Sequence, residues 1–410
     1  MNCLQIRADK SFLGMRGNAL VLTATETLGQ GILFLTSTFW ALYVLELGAS
    51  VAVVGLLSLV QGLVRISLQV PVGYLTDRMS RKKLVAWGGL LGSLAPFAYL
   101  FASSWALLIP GVILEAFTNI VLPARQAMFA EAVDDDKRAT AFATIHTFFA
   151  IFASVMPVVS GVLLERMGLV PGMRLAFAIT GVIMLLASIG RFIFLREDST
   201  NDSPIVEKAG MKSVVLSMFE PVIKMRALRV AIVGSFLFSL AAGFLTRYSV
   251  VYAVDFIRLS KIQWGLVSGG IGVVGILTRI PIGRMIDRLS RRTSILMSYA
   301  TRPFLILGFT GSNTFPQVLA FQLMDGVFSY VQQPALEALV IDLSSKQGIG
   351  RAYGAMNMIP GVALTVSPML GALIWEALGA EWAFYASALF TGVAALFVLT
   401  FFKEPKKIFH

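Results

Sequence analysis

Glu26, Arg65, Glu115, Asn119, His146, Arg247 and Asp325 each interrupt a long apolar run. Ionisable groups in such runs are costly unless paired or wet, so they mark ion pairs, water-filled cavities or proton paths. A carboxyl there can exchange a proton, an arginine stays charged and can clamp an anion, and an imidazole titrates near neutrality. A lone histidine such as His146 is more often a packing residue than a relay. The chemistry on offer is binding and proton exchange. No Walker loop, H-E-x-x-H or G-x-S-x-G occurs, so ATP-driven or hydrolytic chemistry lacks residues to run it, and no enzyme is expected. Cys3 is the only cysteine. It leaves no intramolecular disulfide and no thiol site, so neither metal nor other cofactor is expected.

A second group of charges closes apolar runs. Gly73-Tyr74-Leu75-Thr76-Asp77-Arg78-Met79-Ser80-Arg81-Lys82-Lys83 is matched by Gly283-Arg284-Met285-Ile286-Asp287-Arg288-Leu289-Ser290-Arg291-Arg292. Pro71 and Pro281 precede them in the same register. One residue further on in offset, Pro123 pairs with Pro334, Glu131 with Asp342, Pro157 with Pro368 and Glu165 with Glu376. The chain is a duplication.

The elements that must hold these residues are apolar helices. Of the residues 57% are apolar and 14% charged, with a mean hydropathy of +0.78, which excludes a soluble domain. A helix needs about 20 apolar residues to cross ~30 Å of hydrocarbon. Twelve such runs are legible, near 18–45, 51–75, 84–102, 104–130, 139–163, 172–195, 229–256, 263–286, 293–311, 315–342, 351–375 and 381–402. None alternates polar with apolar, so a β-barrel is excluded. The fold class is an all-α polytopic membrane protein, two six-helix bundles at 1–195 and 229–410. Between them, 196–228 reads as a linker, polar over Asp198–Pro204 and then an interfacial amphipathic helix over Val206–Val230.

With an even number of spans and the N-terminus inside, only Arg166, Arg174, Arg258 and Lys261 of the 34 Lys and Arg fall in outer loops. Apart from those within spans, the rest line inner loops and tails, which puts both termini in the cytoplasm. The net charge of +11 is topology, not a nucleic-acid footprint. At 1.5 Å per residue, Glu26 and Arg65 lie roughly 13 and 15 Å from the inner edge and could pair. That pair either joins two helices or takes part in coupling. Arg191, near a helix end, can snorkel. Arg302, before Pro303, reads as structural.

The repeated G-x-x-x-D-R-x-x-R-[KR] cluster between apolar helices, with proline in the fifth and eleventh spans, resembles the major facilitator superfamily. The resemblance covers nearly the whole chain. It implies a secondary transporter of the inner or plasma membrane that moves a small molecule by alternating access, without a cofactor. It puts spans one, four, seven and ten around a central cavity, so Glu115 and Asp325 are expected where substrate or proton binds, with Arg247 as their partner. It seats Asp77 at the start of the eleventh helix and Asp287 at the fifth. Arg78 and Arg81 would pair with Glu131, and Arg288 and Arg291 with Asp342. With Gly73, Lys82, Gly283 and Arg292, these form a breakable cytoplasmic latch between the halves. Pro157 and Pro368 would kink their helices.

Drug exporters of this family usually carry R-x-x-x-G early in the fourth span, where this chain has Pro110-Gly111. In place of their G-P-x-x-G-G it has Met156-Pro157-Val158-Val159-Ser160-Gly161. Two functions are therefore expected: proton-coupled antiport of organic compounds out of the cell, or passage of an anionic metabolite clamped by Arg65 and Arg247. A receptor that binds without translocating is a third alternative. The partners are substrate, protons and the lipid bilayer, with the protein a monomer.

Overall fold

The computed structural model describes residues 15, 17–76, 80–133, 137–196, 222–223, 225–343 and 349–403, the side chains of 69–76, 119–120, 123, 127, 138–139, 287 and 343–351 excepted. In hydrocarbon every backbone N–H and C=O must find its partner within the segment, so the apolar runs fold as helices. No extended strand occurs among the described residues. The first run is broken into α1 (Asn18–Gly31), α2 (Phe34–Ser37) and α3 (Trp40–Glu46), followed by an unbroken α4 (Val51–Thr76). The third run is α5 (Arg81–Ser93) and α6 (Ala95–Leu100), the fourth α7 (Ile109–Ile120) and α8 (Leu122–Glu131). Both breaks fall just before a proline, Pro96 or Pro123, which suits a helix's first turn but not its interior. Next come α9 (Arg138–Met167), α10 (Leu169–Phe194) and α11 (Arg226–Val251), the last prolonged by a π-helical turn, Tyr252–Phe256. The chain closes with α12 (Lys261–Arg288), α13 (Arg291–Thr310), α14 (Phe315–Leu343), α15 (Ile349–Leu378) and α16 (Ala380–Phe401).

Among the described residues, nine stretches are long and apolar enough to cross a membrane. The other three expected runs are the broken α7–α8 pair and the more polar α13 and α14, which keeps the count consistent with twelve. Leu277, Ile280, Phe304 and Leu389 are each more than 60% exposed, as lipid-facing side chains should be. Pro157 and Pro368 lie inside α9 and α15, which continue through them. The repeated loop owes its serine to capping. Ser80 accepts the Lys83 N–H at 3.4 Å and Ser290 the Thr293 N–H at 3.1 Å, opening α5 and α13.

The chain forms two compact units that do not follow the sequence repeat throughout. The first joins residues up to Ala49, Val60–Asp202 and Ser260–Gly272; the second joins Ser50–Leu59, Ser203–Leu259 and Val273 onward. In the first, α10 packs on α1 and α5 over a core of Leu22, Val85, Met128 and Phe129. In the second, α11 packs on α15 and α16 over Ile232, Tyr299, Leu339 and Val398. The expected linker lies almost wholly outside the described residues.

Candidate functional site

The first unit holds a buried charge cluster. Glu26 on α1 lies 2.8 Å from Arg125 Nη1 of α8 and 3.1 Å from Arg191 Nη2 of α10, with 13% of its side chain exposed against 6% and 4% for the arginines. Arg191 also donates to the Thr25 hydroxyl at 3.1 Å and the Thr25 carbonyl at 3.2 Å. Gly89 makes the room, since a Cβ there would sit 2.8 Å from Arg191 Nη1. Two expectations are corrected. The guanidiniums on Glu26 are Arg125 and Arg191, not Arg65, and Arg191 points inward instead of snorkelling. Satisfying a carboxylate at depth outweighed the short reach to the surface. The cluster carries one net positive charge, and Arg125 Nε is buried without a hydrogen bond.

Glu115, on α7, is held differently. Tyr99 of α6 donates to its Oε2 at 2.7 Å. The phenol is itself positioned: Gly111 leaves space for its ring, Phe177 packs 5.2 Å from it, and the Tyr43 hydroxyl donates to the Tyr99 carbonyl at 2.9 Å. A phenol can donate to a carboxylate or accept from a carboxylic acid, so Glu115 keeps a partner in both protonation states.

In the second unit Asp325 of α14 lies 3.0 Å from Arg302 Nε of α13. Arg302 sits 4.6 Å over the Phe238 ring, which stacks on Tyr299, also at 4.6 Å. Arg302 is thus a charge partner of Asp325, the role the sequence assigned to Arg247. A long side chain lets it reach Asp325 on the next span. A cavity of about 30 Å³, room for a water or two, opens beside Asp325 between Ser249, Phe309 and Gln322. Arg65 and Arg247 are half-buried on α4 and α11, and His146 is exposed on α9. Asn119 has its side chain outside the described residues.

These sites sit in a fold with known relatives. A family model for the Major Facilitator Superfamily matches residues 20–302 and 257–408. The chain belongs to that superfamily. It is 23% identical over 353 residues to the uncharacterised MFS-type transporter YhjO of Bacillus subtilis, covering 86% of this chain and 84% of that one. It is 22% identical over 345 residues to the multi-drug resistance efflux pump PmrA of Streptococcus pneumoniae, covering 82% of each. Among solved structures, the bacterial homologue of the human lysosomal transporter Spinster superposes with a TM-score of 0.76 at 13% identity, covering 93% of this chain and 95% of that one. The protein is therefore a multi-pass membrane transporter of small molecules.

The superfamily's loop charges pair within each half. Arg81 bonds Glu131 in the first unit, and Arg291 Nε donates to Asp342 at 2.8 Å in the second. Arg81–Glu131 and Arg291–Asp342 are pairs the sequence led us to expect. Each ties neighbouring spans of one half, because Arg81 and Arg291 begin the span just before the one that ends in their acid. Arg292 donates to the Leu399 carbonyl at 2.5 Å, Lys82 and Arg288 lie beside the serine caps, and a Cβ on Gly283 would meet nothing within 4 Å. Asp77 and Arg78 lie outside the described residues, and of Gly73 and Asp287 only the backbone is described.

Sequence reasoning also missed the glycines that let helices touch. A Cβ on Gly265 would lie 2.5 Å from the Pro157 carbonyl oxygen, and one on Gly55 3.0 Å from that of Pro368. Gly55 and Gly265 share the offset of the loop clusters, and that offset was the signal available to find them.

Proposed function

We propose that the chain is a monomeric proton-coupled antiporter of the cell membrane, both termini cytoplasmic, which exports small organic compounds by alternating access. The observation that carries this reading is the Tyr99–Glu115 hydrogen bond at 2.7 Å. A coupling acid must be stable with and without its proton. Glu26 and Asp325 are held by guanidiniums, which can only donate, whereas the phenol on Glu115 can donate or accept. The acidity gradient and membrane potential supply the work, at about 2.3 kcal/mol per charge per 100 mV, so no nucleotide site is required. The similarity to PmrA, a multi-drug resistance efflux pump, supports export of organic compounds.

The test uses energised inside-out vesicles with a quenched pH dye and a varied panel of lipophilic cations and neutral drugs. Dye recovery on adding a compound, lost in Glu115→Gln and retained in Asp325→Asn, is the expected result. Recovery retained in Glu115→Gln would remove Glu115 as carrier. Transport that ignores the proton gradient would remove antiport altogether. The second reading, passage of an anionic metabolite, is supported by Arg65 and Arg247, half-buried on α4 and α11. In that case radiolabelled anion uptake into right-side-out vesicles replaces dye recovery, and Arg65→Ala with Arg247→Ala weakens it.

A further inference from the structure

At the end of α4 away from Ser80, Glu376 of α15 accepts the Ala52 N–H at 2.8 Å. At the end of α12 away from Ser290, Glu165 of α9 accepts the Lys261 N–H at 3.0 Å. The first N–H groups of a helix lack partners inside it, and its dipole favours a negative charge there. Glu165 and Glu376 are the repeat-related pair to which neither substrate binding nor the charged loops gave a role.

Each contact ends a longer seam. Pro157, Gly161 and Glu165 recur every four residues on α9, as do Pro368, Ala372 and Glu376 on α15, so each trio lies along one helix face. A Cβ on Gly161 would meet the Lys261 carbonyl at 2.5 Å, and one on Gly55 would meet Ala372 Cβ at 2.9 Å. Backbones therefore nearly touch below each glutamate. Gly168 and Gly379, at φ +84° and +109°, end α9 and α15 three residues beyond it and hold the acid in the last turn. Ser260 accepts the Gln263 N–H at 3.1 Å and Gln263 the Ser260 N–H at 2.9 Å, which keeps the start of α12 formed whether or not Glu165 is present.

We propose that Glu165 and Glu376 are matched carboxylate latches. They hold the starts of α12 and α4 against α9 and α15 and release them when that face of the transporter opens. Both glutamates are exposed, so water can take over their hydrogen bonds and the contact can be broken and remade in every cycle. The buried Glu26 cluster has no such replacement. The latch requires only that the halves move, whichever ion drives them, and its readout needs no substrate.

The test is cysteine accessibility in a Cys3→Ser background, in membranes, with an impermeant maleimide added from the face opposite Ser80. Val54→Cys on α4 and Val267→Cys on α12 report opening, since both positions are 0% exposed. Ser387→Cys, at 0% exposure between α11 and α16, is the control. We expect Glu376→Gln to raise labelling of Val54→Cys, and Glu165→Gln that of Val267→Cys, each about fivefold, the size of a lost helix-end charge. The control stays unchanged. Unchanged reporters in the double Glu→Gln variant overturn the latch, and so does an equal rise at Ser387→Cys, which would mean general loosening.

Discussion

A carboxylate shared by two guanidiniums is stable only as a set. With Arg125 and Arg191 both almost fully buried on Glu26, Glu26→Gln leaves two cations without their counter-charge, and breaking such a pair costs about 3–5 kcal/mol. A lower midpoint of thermal unfolding in detergent is the expected outcome, partly restored by adding Arg125→Met, because the two changes couple. Asp325 and Glu115 separate under the same measurement. Asp325→Asn strands Arg302, whose side chain is 11% exposed, and destabilises in the same way. Glu115→Gln keeps a partner for the Tyr99 hydroxyl, loses no counter-charge, and should shift the midpoint little. The acids were legible as isolated charges in apolar runs, but their partners were not. Pairing depends on how each helix is rotated and how far a side chain reaches. Arg302, before Pro303, and Arg191, near a helix end, therefore looked incidental.

Apolar run length showed where helices lie, but not that the third and fourth runs break and restart at Pro96 and Pro123. What run length hid was the contact between helices, which rests on the absence of a side chain. Gly265 allows α12 to meet α9 backbone to backbone, and a methyl at that position would lie 2.5 Å from the Pro157 carbonyl oxygen. Neither backbone can yield locally, so Gly265→Ala should cost the 1–3 kcal/mol typical of overpacking. Gly283→Ala, facing open space within its helix, should cost nothing, since alanine is the better helix former, and the difference between their unfolding midpoints checks the contact. Caps were half legible. The Ser80 and Ser290 repeat was plain in the sequence, yet it read as part of a charged loop until each hydroxyl was seen on the third N–H of its helix. Ser290→Ala is expected to cost about 1 kcal/mol without altering the Arg291–Asp342 pair.

Duplication was the most legible property of the whole molecule, since two offsets of about 210 residues cover most of its motifs. The repeat boundary is nevertheless not the boundary of packing. Each compact unit takes a short segment from the other repeat, Ser260–Gly272 for the first and Ser50–Leu59 for the second. The face of α9 bearing Pro157, Gly161 and Glu165 consequently finds its partner in residues beyond the linker. A chain ending at Asp202 would present that face, with its closely approachable backbone, to lipid instead of to Gly265. Lipid tails cannot interdigitate with a glycine-lined groove as a facing helix does, and van der Waals packing is what joins helices in a membrane. Expressed alone, residues 1–202 should therefore aggregate or be degraded. Co-expressed with residues 203–410 as a separate chain, they should be recovered as one complex of native size on fluorescence-detected gel filtration. Recovery of the first piece alone as a stable, monodisperse species would mean that the cross-repeat seams add little, and that the sequence halves are the true folding units.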